Sequence, residues 1–263
     1  MDETNQLNLM LNAMTEILQE EKAKQAAPQS VPAPVLPDLR SILTRIAPLP
    51  SEALFLGMAI DGLPVLLNLF DPVPGPILIA GDPSSGKTRL LQTIARAAEI
   101  LHPSDSVQYG VITTKPDEWE KLYGSENNAG IYKTSDENTA ELLQSLATWA
   151  HNNKGEGQSI LLLIDDLEAV TNLDEQAQQN LRWLLLRGPS RRVWTFASLD
   201  ASRAENQKEW LEFFRTRLFG CVEDPDHATL LTGNSLLNHL SKGDEFAMRE
   251  NTKLLKFWLP VID

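Results

Sequence analysis

Between Leu7 and Leu18 the apolar residues Leu7, Met10, Leu11, Met14, Ile17 and Leu18 recur at i, i+3, i+4 and i+7, and no Gly or Pro interrupts the stretch before Lys24. That spacing predicts an amphipathic helix within residues 1–24. The pattern then breaks. Pro28, Pro32, Pro34 and Pro37 stand among Ala, Ser and Val over residues 25–37, a composition that predicts an extended linker. The first helix is therefore expected to be tethered, either packing back on the remainder or docking on a partner. A short helix follows to Ile46, with Asp38 as its N-cap.

Past Leu49 the period changes. Leu54–Met58 and Pro64–Leu69 read as strands around an Asp61-Gly62 turn, and a Pro-rich bend covers 71–76. Short apolar runs then alternate with helical stretches. Strands are predicted at Ile77–Ala80, Val107–Thr113, Ile160–Ile164, Val193–Ala197 and Arg217–Val222. Helices are predicted at Thr88–Leu101, Asn138–Asn152 and Glu175–Leu186. Strands apolar on both faces must be covered on both, so residues 38–263 are expected to form an α/β domain, a mostly parallel sheet with helices on both faces.

Composition narrows the function classes. The 263 residues suffice for one α/β core plus an appendage. A net charge of -13 argues against a passive basic coat for nucleic acid, whose affinity comes from Lys and Arg on phosphates, and leaves room only for a small local grip. The one cysteine, Cys221, excludes an intramolecular disulfide and reads as core; the four histidines show no ligand spacing. The acidic start Met1-Asp2-Glu3 lacks the features of a signal peptide, and no apolar run reaches the ~18 residues that cross a bilayer. A cytoplasmic chain with no direct membrane insertion is expected.

Two segments carry chemistry. Ile77–Ala80 runs into Gly81-Asp82-Pro83-Ser84-Ser85-Gly86-Lys87-Thr88, which fits G-x-x-x-x-G-K-[ST] at every fixed position, with a strand before it and a helix after. Gly81 and Gly86 permit backbone angles that turn N–H groups inward around a polyphosphate, and the helix N-terminus adds its dipole. Lys87 supplies a point charge to the β- and γ-phosphates and Thr88 a hydroxyl to Mg²⁺, so ATP with Mg²⁺ is the expected ligand. The second segment is the apolar strand Ile160–Ile164, which ends in Asp165-Asp166. Ligands of open α/β sheets sit at the carboxyl ends of strands. Asp165 is thus the candidate for the metal shell and Asp166 for the group that orients or deprotonates the attacking water. Glu168 reads as surface.

With these motifs in place the chain resembles the FtsK/SpoIIIE/HerA superfamily of P-loop motor ATPases from about Leu56 to Glu250. The segments that carry the resemblance are Leu56–Val65, Ile164-Asp165-Asp166-Leu167, Arg191–Ser198, Thr216–Val222 and Leu240–Phe246. The resemblance implies a RecA-like fold, ATP hydrolysis, a ring (usually a hexamer) and double-stranded DNA moved through its pore. It implies an arginine finger at Arg217, with Arg215 as its competitor and a strand-start ion pair as the plainer role for Arg217. Three departures stand out. Asp166 replaces the usual Glu, which points to slow hydrolysis. Leu199 falls where a sensor Gln is expected, with Ser198 as a substitute. A winged-helix DNA-reading domain is expected to be missing after the core. Arg187, Arg191 and Arg192 are the candidate DNA contacts, because four arginines and no acid occur between Arg182 and Arg192. Besides an FtsK-like translocase, the sequence leaves open a DNA-packaging or secretion-coupling ATPase. It also leaves open a nucleotide-binding switch or scaffold with weak hydrolysis, recruited through a protein partner of the first helix.

Overall fold

The computed structural model describes residues 37–153, 155, 157–233, 237–250 and 253–262; the expected helix over 1–24 and the linker over 25–36 lie outside them. Ten strands are joined in one sheet: β1 (Ala53–Ala59), β2 (Pro64–Asn68), β3 (Ile77–Gly81), β4 (Val107–Thr113), β5 (Asn128–Lys133), β6 (Ser159–Asp165), β7 (Val193–Asp200), β8 (Thr216–Phe219), β9 (Glu245–Glu250) and β10 (Lys253–Trp258). Their order is β2-β1-β10-β9-β8-β3-β7-β6-β4-β5. From β8 to β5 all pairings are parallel; β2, β1, β10 and β9 pair antiparallel, as does β9 with β8. The helices are α1 (Leu39–Ile46), α2 (Lys87–Leu101), α3 (Glu137–Asn152), α4 (Leu167–Thr171), α5 (Glu175–Arg187), α6 (Lys208–Leu211) and α7 (Pro225–Thr232).

The period of two along each central strand divides the core. Ile77, Ile79, Leu161, Leu163 and Phe196 pack on one face with Leu90, Leu91 and Ile94 of α2. Leu78, Ala80, Leu162, Ile164 and Ala197 pack on the other with Leu143 of α3 and Leu181 and Leu184 of α5. This agrees with the expected mostly parallel sheet covered on both faces. Asp38 caps α1 by accepting from the Ser41 N–H at 2.9 Å. Cys221 is buried, as expected.

The structure adds elements that the sequence pattern did not reveal: β5, the β9–β10 hairpin, α4, α6 and α7. The strand expected over Arg217–Val222 ends at Phe219, after which the Gly220 N–H still donates to Ala80 O at 2.8 Å before the chain leaves the ladder. The β9–β10 hairpin joins the antiparallel strands to the parallel ones, since β10 pairs with β1 and β9 with β8.

Trp194 ties the two parts of the sheet. It is fully buried, and its Nε1–H donates to Leu69 O, just beyond β2, at 3.2 Å. Replacing Trp194 by Phe leaves that carbonyl without its donor, so urea unfolding should show a loss of about 1–3 kcal/mol at an unchanged m-value.

Candidate nucleotide site

β3 delivers the chain to the loop at the carboxyl ends of the parallel strands. Ser84 and Gly86 both take positive φ, 62° and 94°. A Cβ on Gly86 would collide with the carbonyl oxygen of Gly243, and one on Gly81 with the Ser85 hydroxyl, so both glycines are dictated by close approach. Asp82 pins the loop from outside: its N–H donates to Cys221 O at 2.9 Å, and its Oδ2 accepts the Glu223 N–H at 2.7 Å.

Gly86 is the N-cap of α2 and contributes no side-chain cap. Asp174 and Asp224, by contrast, cap α5 and α7 with their carboxylates. The first N–H groups of α2 and its dipole are therefore left to an anion held by the loop. Lys87 folds across the same loop, its Nζ donating to Gly81 O at 2.8 Å and Asp82 O at 2.7 Å. Two of the three ammonium donors are used and one remains. Burial pushes the Lys87 pKa down, and the charges of Asp200, Asp165, Asp82 and Asp166 oppose that push.

Thr88, the next residue, meets the second motif. Its Oγ1–H lies 3.0 Å from both Oδ1 and Oδ2 of Asp165, and the Ser198 hydroxyl donates to Asp165 Oδ1 at 3.1 Å. Ser198 Oγ in turn accepts the Asp166 N–H at 2.9 Å. Burial raises the Asp165 pKa, the Thr88 and Ser198 hydrogen bonds pull it back, and the nearby charge of Glu118 raises it again. A carboxylate and a hydroxyl are the hard oxygen donors that Mg²⁺ takes, so Thr88 and Asp165 fit that ion. Among the described residues no group of three or more His, Cys, Asp or Glu is arranged to hold a metal, so further ligands would come from phosphate and water.

The cavity beside Lys87 and Thr88 measures about 330 Å³. Five carboxylates line it, Glu118, Asp165, Asp166, Glu168 and Asp200, with three cations, Lys87, Lys115 and Arg203. Sequence reasoning missed Asp200, Glu118, Lys115 and Arg203. It placed Glu168 on the surface, whereas Glu168 faces this cavity and pairs with Arg203 at 3.4 Å. The alternation along β7 could have found Asp200. Leu199 belongs to the opposite core face, and so Ser198 and Asp200 fall on the side of α2.

Other candidates lie elsewhere. Arg217 is not brought to the loop. Its guanidinium donates to Phe214 O, Leu231 O and Leu211 O at 3.3, 3.2 and 2.8 Å, bracing the corner between α6 and α7. Arg187, Arg191 and Arg192 lie before β7, at the amino ends of the parallel strands and away from the phosphate loop. Arg187 is exposed, while Arg191 donates to Asn153 O at 3.0 Å. Arg192 is buried, with its guanidinium 3.8 Å above the Phe70 ring, so the expectation that it contacts DNA is corrected.

The raised pKa of Asp165 has a testable sign. An acid whose folded pKa lies above its unfolded value binds protons more tightly when folded, so its contribution to stability falls as pH rises from about 3.8 through the folded pKa. Asp165→Asn removes that cost and should raise the melting temperature of the ligand-free protein at pH 7 by about 2–4 °C per kcal/mol relieved. If the site takes a nucleotide with Mg²⁺, the same variant should lose the Mg²⁺ dependence of that binding.

No protein-family model matches this chain, and no curated protein matches its sequence. Solved structures do. The cytoplasmic domain of the type VII secretion ATPase EccC from Thermomonospora curvata superposes with a TM-score of 0.67 at 17% identity, covering 86% of this chain and 28% of that one. EssC (ATPases 2 and 3) from Geobacillus thermodenitrificans gives 0.70 at 12%, covering 86% and 47%. The pCW3 conjugation coupling protein TcpA, solved with ATPγS, gives 0.64 at 16%, covering 85% and 69%. The chain thus spans less than half the length of the first two. These neighbours are FtsK/SpoIIIE-type ATPases, in agreement with the resemblance read from the sequence, and at such identities the likeness establishes the fold. No helix among the described residues is long and apolar enough to cross a membrane. The described domain has the fold of a RecA-like P-loop ATPase.

Proposed function

We propose that this chain binds ATP with Mg²⁺ and hydrolyses it as the motor domain of a ring. The observation that carries the reading is the Thr88–Asp165 contact at 3.0 Å, set beside Lys87 on a helix whose N-terminus no side chain caps. In this reading, Gly81, Ser84, Ser85 and Gly86 shape the phosphate cradle while Asp82 anchors it and Pro83 stands at its exposed crest. Lys87 neutralises the transferring phosphoryl group. Thr88 and Asp165 hold the cation, which would polarise the phosphate oxygens when bound.

Double-stranded DNA remains the proposed cargo on the family resemblance, gripped locally through Arg187 and the partly buried Arg191. A second reading, secretion coupling, has a specific observation in its favour: burial of Arg192 and the Arg191–Asn153 bond remove much of the basic segment from phosphate. A structure of EccC (ATPases 2 and 3) contains a signal sequence peptide, which makes a peptide the alternative cargo to test here. An arginine finger from Arg217 would have to give up three carbonyl bonds on assembly; Arg215, exposed two residues earlier, carries no such cost.

Steady-state turnover of ATP tests the reading. Lys87→Ala should lower it by about 100-fold or more. If DNA is the cargo, duplex DNA should stimulate turnover at low salt and lose that effect as salt rises. Turnover indifferent to DNA at every salt concentration rejects that cargo and leaves the hydrolysis. Arg217→Ala should cost about 1–3 kcal/mol of stability through the orphaned carbonyls. Lost turnover at unchanged stability would instead mark Arg217 as a finger.

A further inference from the structure

The carboxylate expected to take the proton from water is Asp166, yet its geometry commits it elsewhere. Asp166 has φ 101° and ψ 88°, a backbone conformation that an L-residue enters only under constraint. The Ser198 hydroxyl holds its N–H, and its Oδ1 accepts the Ala169 N–H at 3.3 Å as the N-cap of α4. Its side chain is also one methylene shorter than the usual Glu. Asp166 therefore has a structural task at the β6–α4 turn and a short reach from it.

A second acid faces the same cavity from the neighbouring strand. β4 pairs in parallel with β6 so that Thr113 lies opposite Asp165, and the chain leaves β4 at the level of the metal-binding carboxylate. The 3₁₀ segment Pro116–Leu122 follows. Trp119 at its centre is fully buried and Leu122 nearly so, which fixes the segment on the core. Gln92 of α2 donates from Nε2 to Glu118 O at 2.7 Å, tying the same residue to the helix that carries Thr88. The Glu118 backbone is thus held from both sides while its side chain lines the cavity with Lys87, Thr88 and Asp165. Its charge is felt at Asp165, whose pKa it raises. The competing role is a surface ion pair with Lys115, 3.1 Å away, of the kind that contributes little.

We propose that Glu118, and not Asp166, is the general base for the attacking water. The inference rests on the ATPase reading above. In the step, the water oxygen bonds to the γ-phosphorus and the bond from γ-phosphorus to the β–γ bridging oxygen breaks. ADP leaves with that electron pair, and the water proton passes to the Glu118 carboxylate. The side chain is partly exposed, so it returns the proton to solvent after phosphate departs.

The test compares Glu118→Gln, Asp166→Asn and the unaltered chain, measuring ATP turnover, binding of a fluorescent ATP analogue and melting temperature. Glu118→Gln should bind the analogue as the unaltered chain does, melt at the same temperature and turn over ATP about 100-fold or more slowly. Asp166→Asn should melt lower, through the weakened cap, with turnover reduced by less than the Glu118 variant shows. Turnover by Glu118→Gln within about tenfold of the unaltered chain overturns the assignment, because general-base removal costs about 10²–10⁴. Loss of analogue binding in that variant overturns it too. An unaltered chain that binds the analogue and hydrolyses nothing rejects the ATPase reading itself, and the base with it; this outcome is distinct because it appears before any substitution is made.

Discussion

The site depends on holding the Asp165 carboxyl inside the protein, where burial raises its pKa. A carboxylate removed from water is costly unless hydrogen bonds replace its hydration. Here two hydroxyls supply them, Thr88 from α2 and Ser198 from β7, each about 3 Å away. Three chain segments far apart in sequence therefore meet on one group. Ser198 serves twice, since its oxygen also takes the Asp166 N–H and so fixes the turn that follows β6. The cluster thus links α2, β6 and β7 at the carboxyl ends of the strands, beside the sheet ladder. A divalent cation entering between Thr88 and Asp165 would take over ligands that are already aligned.

Much of this was legible in the sequence because it is local. The phosphate loop is a contiguous motif whose glycines, lysine and threonine have position-specific tasks, and the apolar runs Ile77–Ala80 and Ile160–Ile164 announce buried parallel strands. What escaped was what only the fold assembles. Glu118, Lys115 and Arg203 join the site from separate connections, and nothing in their own neighbourhoods marks them. The β9–β10 hairpin was missed because its strands mix Lys, Arg and Glu with apolar residues, and only pairing with β1 and β8 makes them strands. The arginine-rich segment shows the opposite limit. Charge density is visible in a sequence, whereas the Phe70 ring and the Asn153 carbonyl that absorb Arg192 and Arg191 are not.

The placement of that segment separates two ends of the sheet. The candidate nucleotide site gathers where β3, β6 and β7 finish, while the arginines stand where β7 begins. The central strands, apolar on both faces and enclosed, form a close-packed connection between the two ends. Trp194, on β7, reaches Leu69 near the arginine end and is part of this connection.

The contact between Gly86 and Gly243 has a consequence for biosynthesis. Arg89, in the first turn of α2, donates to Gly243 O and to Pro260 O, residues 154 and 171 positions later in the chain. A chain emerging from the ribosome displays the phosphate motif long before it displays the carbonyls that seat it. The contacts that seat the loop therefore form only once synthesis has passed Pro260. In a shorter chain the motif is present without its anchorage.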